Sequence, residues 1–600
     1  MKKLSLLFFV VMVLLLGCVN TESDVQGDEP EQTPDETNIE RPTIEILGTS
    51  TGEDDLNILR DQLTNNGFEV ELNIQPDYGS FTTQRDAGNY DLALSSWTTV
   101  TGNPDYAVRS LFTSDGDNSL FADQQADELV NLASTQLAEE YQETYKDLEQ
   151  HIVFDQAYIA PLYISYKAQG VNDTIINEET VRLPKSRAAV WEAVDFNDAS
   201  LRDSQPLLVH QAIGSLTSLD PIKGNDGSIN TLNTNIYVRL VNLTDDDQVV
   251  SDGSLSLNHV IAEGNQDYYF LLRDDIYFAA IEEDGVVNTE DRVGAEDVQF
   301  SLNRAKDRNS VPDHRTYSLH ESMDNIEIVS DLSELEDAVT INGDSVKEAL
   351  EVGLDQDITE LTTSKDDANN ANGIYQAVKI TTVNPFPQVL NYLAHQSAGI
   401  VSQQQVESVN TFDVEDYNVD EDIAYGDQRT VTEDSGFDNT LYASGPYILV
   451  SKNDYEAHFV KNPGYRAGTD GEPNINEVIV KFIQEPESAL SALRNNEIHI
   501  LNGVAENRYD TVIEDESLTL QQNESNGVTY LAFNMEGREV STNVALRQAI
   551  LHSINQDEFI SFYQGNKMPA VSTVSPLVNT GLTLEADSER VQELLREAAE

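Results

Sequence analysis

Apolar and polar positions along this chain follow two periods. Leu4 to Leu16 is almost wholly apolar and follows a basic Met1-Lys2-Lys3. As a helix the run spans about 20 Å, short of the roughly 30 Å of bilayer hydrocarbon, so residues 1–17 read as a secretory signal peptide. Between Thr21 and Pro42 stand eight acidic side chains and one Arg, with almost nothing apolar. Such a segment has too little to bury, and residues 18–42 read as an acidic flexible tether. Strand-like alternation then marks Thr43–Leu47, Phe68–Leu72 and Asp91–Leu94, with a helical period over Asp55–Asn65 between the first two. One long amphipathic helix is expected from Asp127 to His151, with Leu129, Leu132, Leu137, Tyr141, Tyr145 and Leu148 on its face. Further helices are expected at Gly294–Ala305, Ser488–Asn495, Asn543–Ile554 and Ala586–Ala599, separated by strands. Asp331 to Asn372 is polar and reads as a surface insertion. Strands and helices that keep alternating argue for α/β lobes.

Composition narrows the function classes. Across 600 residues, 106 Asp and Glu face 35 Lys and Arg, a formal charge of −71. Phosphate would be repelled, so no nucleic-acid partner is expected. The acid is spread along the chain, which reads as adaptation to a saline or alkaline medium; attraction of cationic ligands into an acidic cleft is the alternative. Apolar residues make up 39% of the chain, enough to exclude wholesale disorder. A single cysteine leaves neither an internal disulfide nor a cysteine zinc cluster.

No zinc-protease helix, P-loop or dinucleotide fingerprint is present. His314 and His320 stand six apart, a spacing that fits no helical metal pair, and both are expected at the surface. No catalytic residue, metal or cofactor is expected, and a binding protein is favoured over an enzyme. Leu15-Leu16-Gly17-Cys18 resembles a bacterial lipobox. That resemblance implies lipidation of Cys18 and a body held at the outer face of the cytoplasmic membrane, attached through the lipid anchor only.

Several segments, taken in order, are similar to the family 5 extracellular solute-binding proteins of ABC importers, the oligopeptide, dipeptide and nickel class. They are Tyr268 to Phe278, Gly294-Ala295-Glu296-Asp297-Val298, Ala443-Ser444-Gly445-Pro446-Tyr447, Lys461-Asn462-Pro463-Gly464-Tyr465, Ala489 to Ile498, Leu531-Ala532-Phe533-Asn534 and Val544 to Ile550. The family's closing portion resembles residues at the front of this chain: Ile44 to Trp97, Gly102-Asn103-Pro104-Asp105, and Asp127 to Leu162.

The resemblance therefore implies an α/β, two-lobed periplasmic-binding-protein type II fold with a central cleft, in circularly permuted order. Lobe II would be built from 43–165 and 504–600 and lobe I from 166–503. The crossings would fall near Ser165 and Gly503, and Thr43 and Glu600 would lie close together in one lobe.

The resemblance also implies a function. A monomer would capture oligopeptides between its lobes and deliver them to an ABC permease and ATPase complex. The alternatives are a metal chelate, opine or sugar as ligand, or a sensing receptor. Trp97, Thr98, Thr99, Val100 and Thr101 would face the ligand from the loop after the third strand, with Tyr530 and Asn534 beside them. Ser444, Gly445 and Tyr447 would face it from the other lobe, followed by Leu219 and Asp220. Arg547 and Asn462 are expected to be structural. Peptide binders of the family carry an acid at the position of Val100, and dipeptide binders an Arg in the loop that is here Gly48 to Glu53; both are missing. Backbone capture of the peptide as an added strand needs neither clamp.

Overall fold

The computed structural model describes residues 41–599 apart from 215, 217, 284, 428 and 430–440, so the expected leader, Cys18 and nearly all of the tether lie outside the described residues. An eleven-stranded mixed sheet is the frame. Its strands, numbered in chain order, are β1 (Thr43–Thr49), β2 (Glu69–Gln75), β3 (Leu92–Thr98), β4 (Ile159–Asn172), β5 (Leu207–Gln211), β6 (Tyr447–Lys452), β7 (Glu456–Lys461), β8 (Glu477–Phe482), β9 (Ile500–Asn502), β10 (Leu518–Phe533) and β11 (Lys567–Met568). They lie in the order β6-β7-β8-β5-β9-β4-β10-β3-β1-β2, with β11 on β4. The α/β class read from the sequence is the class observed.

Two bodies share this sheet. One core is drawn only from residues 44–164 and 528–595, and includes Ile46, Leu59, Phe68, Phe112, Tyr145, Leu531, Ile550 and Leu594. Leu47, Phe81 and Ala93 form a small cluster in the same segments, and the other cores come from residues between 168 and 518. One surrounds Trp191, Tyr447 and Phe459, and another fills a second, four-stranded sheet around Phe270, Ile326 and Ile380. Only β4 and β10 run from one set of cores to the other. Ile159–Ile164 belong to the first core, Ala168 and Val171 to the second group. In β10, Leu518 packs with the second group and Val528 onward with the first. Two bodies joined by two strands form a two-lobed arrangement.

The second crossing falls later than Gly503. Val504, Tyr509, Val512 and Leu518 pack against Ala489, Leu493 and Ile498, which keeps residues 504–518 with the second body. The ladder between β10 and β4 breaks after Glu524 and resumes at Val528. The bulge at Ser525–Gly527 is therefore where the chain passes between bodies, and such a bulge lets a strand bend.

The ends of the described chain share one core. Glu69 N donates to Pro42 O, Gln592 Nε2 donates to Asn66 O at 2.9 Å, and Ile44 and Leu594 lie in the same cluster.

Three further expectations change. The long helix is two, Gln124–Ser134 and Ala138–Glu149. Ser134 and Thr135 turn their hydroxyls back onto the Asn131 and Leu132 carbonyls, ending the first helix, and Glu140 caps the Leu137 N–H to start the second. The buried face of the first is Ala126, Val130 and Ala133, while Leu132 is exposed. Residues 331–372 are more than a surface insertion. Leu335, Val346, Leu350, Ile358 and Leu361 close a small core over Tyr269 and Leu271 of the second sheet. His320 is buried, not at the surface, and pairs with Ser397 Oγ at 2.8 Å; burial pushes it down to about 3.

Candidate functional site

The seam between the bodies is built around the loop that follows β3. Trp97, near the end of that strand, lies 5.6 Å from the Tyr106 ring, and Tyr106 meets Tyr392 of the other body edge-on at 6.5 Å. Thr99, Thr101 and Asn103 are buried. Thr99 N donates to Asn526 O, which ties the loop to the β10 bulge. Gly102 has φ +69°, and a Cβ there would stand 2.9 Å from Asp247 of the second body, so conformation and close approach both require glycine.

Hydrogen bonds cross this seam at two places. At the first, Gln388 Oε1 accepts from Asp105 N at 3.1 Å and its Nε2 donates to Tyr145 OH at 3.2 Å. Tyr392 OH donates to Asp105 Oδ2 at 2.9 Å, and Asn391 Nδ2 to Gly102 O at 3.4 Å. Arg109 grips the same carboxylate with Nη2 and Nε at 2.9 and 3.1 Å. Asp105 opens the helix Pro104–Phe112, where a carboxylate is favoured by the helix dipole. A crevice of about 210 Å³ lies beside this latch, lined by Arg109, Glu321, Pro385 and Tyr392 among others.

At the second place, the Ser186 hydroxyl can donate its one proton to Thr99 O at 3.3 Å or to Asp247 Oδ2 at 2.9 Å. Asn526 Nδ2 donates to Ser186 Oγ and to Asp247 Oδ2. Burial pushes the Asp247 carboxyl up, and the Asn526 and Ser186 bonds oppose that. Burial also pushes Lys167, which donates to the Pro184 and Lys185 carbonyls, down to about 8.

The expected site residues separate under this geometry. Trp97, Thr98, Val100, Thr99 and Thr101 all lie on or next to the seam, the first three partly or fully accessible. Ser444, Gly445 and Tyr447 lie inside the second body. Ser444 Oγ accepts from Val238 N at 3.1 Å and donates to Ile400 O at 2.5 Å. Gly445 is pressed against Ile236, where a Cβ would sit 2.7 Å from backbone. Tyr447 OH donates to Ile475 O at 3.0 Å, and its ring packs against Trp191. Asn534 ties β10 to the Gly88 and Tyr90 carbonyls, and Tyr530 is buried in the first core. Asp220 is buried in an ion pair with Arg304 at 2.7 Å, and Leu219 is core. The motif residues are therefore mostly fold-builders, with no polar group left for a ligand in Ser444, Tyr447 or Asp220. Arg547 and Asn462 are buried braces of carbonyl groups.

Sequence reading missed Ser186, Asp247, Gln388, Tyr392 and Asn526, which come from four separate segments. It also missed Arg187 and Arg239, although a buried arginine is conspicuous in a chain so poor in base.

Residues 255–599, more than half of the chain, match the model of the bacterial extracellular solute-binding proteins, family 5 Middle. A Brucella ovis protein described as an ABC transporter peptide-binding protein is 30% identical over 176 residues, which is 28% of this chain and 32% of that one. The match thus spans about a third of that relative. Among solved structures, HbpA2 from Haemophilus parasuis aligns with 66% of this chain and 67% of its own, at 17% identity and a TM-score of 0.44. DppA from Helicobacter pylori, in complex with the peptide STSA, aligns with 66% of each chain at 18% identity and a TM-score of 0.42. The match over 255–599 carries the assignment, and the ordered motifs within it agree: the chain belongs to the family 5 extracellular solute-binding proteins.

Proposed function

We propose that this protein captures oligopeptides between its two bodies and passes them to the permease and ATPase of an ABC importer. It would do so from the outer face of the cytoplasmic membrane, anchored there through Cys18. The observation that carries the reading is the loop Thr99–Asn103. Its Thr99, Thr101 and Asn103 are buried at the seam, and the loop is tied to the β10 bulge through Asn526 and bonds to the second body through Ser186, Gln388 and Asn391. A loop fastened to the strand that crosses between bodies moves with any hinge there, and a ligand touching both sides favours the closed form. With no acid at Val100 and no Arg in the loop Gly48 to Glu53, backbone bonds to an extended peptide supply much of the affinity.

The test is to purify residues 21–600 without refolding, denature the protein, and identify what it releases by mass spectrometry. A ladder of mixed peptides supports the reading. A single non-peptide species, such as a chelate, opine or sugar, moves the ligand class. No released solute, with no peptide bound in calorimetry, refutes capture.

A further inference from the structure

Four side chains at or near the seam have hydrogen-bond donors without a partner. Arg187 follows Ser186, so its backbone is fixed against the Thr99 carbonyl of the other body. Its Nη2 donates to Asp245 Oδ1 at 3.0 Å, while Nε and Nη1 are buried without a partner. Arg239 is only 4% exposed. Its Nη1 donates to the Thr234 and Tyr237 carbonyls at 3.1 and 2.9 Å, and its Nε is buried without a partner. From the first body, Trp97 Nε1 and Thr99 Oγ1, two residues apart, are also buried without partners. Arginine and tryptophan side chains can only donate. Leaving such groups unpaired in a protein interior is costly, more so for a charged one.

The surrounding carboxylates leave these donors without a hydrogen-bond partner. Among the described residues, Asp245 is the one carboxylate in ion-pair contact with Arg187, and it also faces Arg182 at 3.5 Å. No carboxylate lies within 4 Å of Arg239 among the described residues. Glu192, only partly buried, lies close enough for its charge to favour both arginines, while the hydrogen bond its carboxylate accepts comes from Tyr465 OH at 3.1 Å. Asp247 is engaged by Ser186 and Asn526. Burial holds Arg239 down to about 10, with Arg187's charge adding to the effect. His395, whose Nε2 is also buried and unpartnered, is pushed down to about 4 by burial and by Arg239, so it is neutral at pH 7. Two of the side chains that carry these unused donors are cationic, which favours an anionic acceptor.

We infer that Arg187 and Arg239 hold a carboxylate of the captured solute, with Trp97 Nε1 and Thr99 Oγ1 completing the site from the other body. The inference rests on capture at the seam as proposed above. A guanidinium offers a planar fork that matches a carboxylate. A ligand bonded from both bodies would hold them closed. The carboxylate can come from a peptide's C-terminus or from an acidic side chain.

The experiment uses one set of tri- to pentapeptides in three forms: free acid, C-terminally amidated, and amidated with one internal glutamate. Binding to residues 21–600 is read by calorimetry and by tryptophan emission, since Trp97 is one of only two tryptophans. The free acids should bind at least tenfold more tightly than the neutral amides. Equal recovery by the glutamate amides would identify the side chain as a sufficient source; no recovery would identify the terminus. Arg187→Gln should abolish the tenfold preference, and Arg187→Lys, which keeps the charge and loses the fork, should recover part of it. Amides and acids bound equally by the unsubstituted protein would overturn the carboxylate site and leave capture standing. The same holds if Arg187→Gln keeps the full preference. No peptide bound in any form, with no solute co-purifying, would overturn capture itself.

Discussion

Two segments of this protein carry the same kind of family motif and end in opposite situations. Trp97–Thr101 closes a strand and lies on the seam, with the Trp97 and Thr99 donors buried and unused. Ser444–Tyr447 lies in the second body's core, with both hydroxyls bonded to backbone carbonyls. The difference teaches that a motif marks what a fold needs at a position, which is as often a turn or a packed ring as a ligand contact. An unspent buried donor separates the two cases, because proteins rarely leave such groups unpaired without a use for them.

The largest effect should come from the interior segment. Tyr447→Ala removes a fully buried ring and should cost about 3–5 kcal/mol in urea unfolding. A loss under about 1 kcal/mol would place that ring outside the core and break the contrast.

A second interior polar group behaves like Ser444. Glu149 is buried and accepts from Ser572 and Thr580, and burial raises it to about 7 against the hydroxyl bonds. A carboxyl whose folded pKa is raised contributes stability that is full below the unfolded value, near 4.5, and is lost as pH rises through 7. That loss is about 3 kcal/mol at most between pH 5 and pH 8. Glu149→Gln should not show it, so the unfolding midpoint should shift toward the variant on going from pH 5 to pH 8. Parallel midpoints for the two proteins would contradict a buried neutral carboxyl.

Next, Ser444→Ala leaves the buried Val238 N–H without its acceptor and should cost about 1–3 kcal/mol. Peptide binding, measured per folded molecule, should not change. At the seam the pattern should reverse. Gln388→Ala removes the group that links Asp105 N to Tyr145 OH, and should increase the radius of gyration in small-angle scattering more than it lowers stability. The smallest stability effect is expected for Thr98→Ala, an exposed position, at under about 0.5 kcal/mol. A several-fold change in affinity there would sharpen the seam as the ligand face.

Much of the frame could be read from local pattern. The helix Ala295–Lys306 buries Ala295, Val298, Leu302 and Ala305, the four positions that the helical period marks. Where the period misled, the cause is local competition. Leu129, Leu132 and Leu137 fit one long helical face, but Ser134 and Thr135 bind their own helix's carbonyls and end it, so the packed stripe becomes Ala126, Val130 and Ala133. At Gly503 the motif boundary and the packing boundary differ, because Tyr509 and Val512 prefer the apolar surface of Leu493 to a place across the seam. The site was legible on one side only. A strand followed by Trp97 and a polar loop is contiguous, whereas its partners at 186–187, 239, 247, 388–392 and 526 meet only when two strands have crossed and a bulge has formed.

The sequence by itself determined the α/β class, the family, the strand that ends in Trp97, and the scarcity of base that makes each buried arginine informative. These depend on neighbours along the chain, on periodicity and on composition. The tertiary structure decided where the bodies divide, which motif residues are spent inside them, and which donors remain unpaired at the seam. Hydrogen-bond satisfaction and burial are properties of the packed chain, and no order of residues states them until segments distant in sequence have been brought into contact.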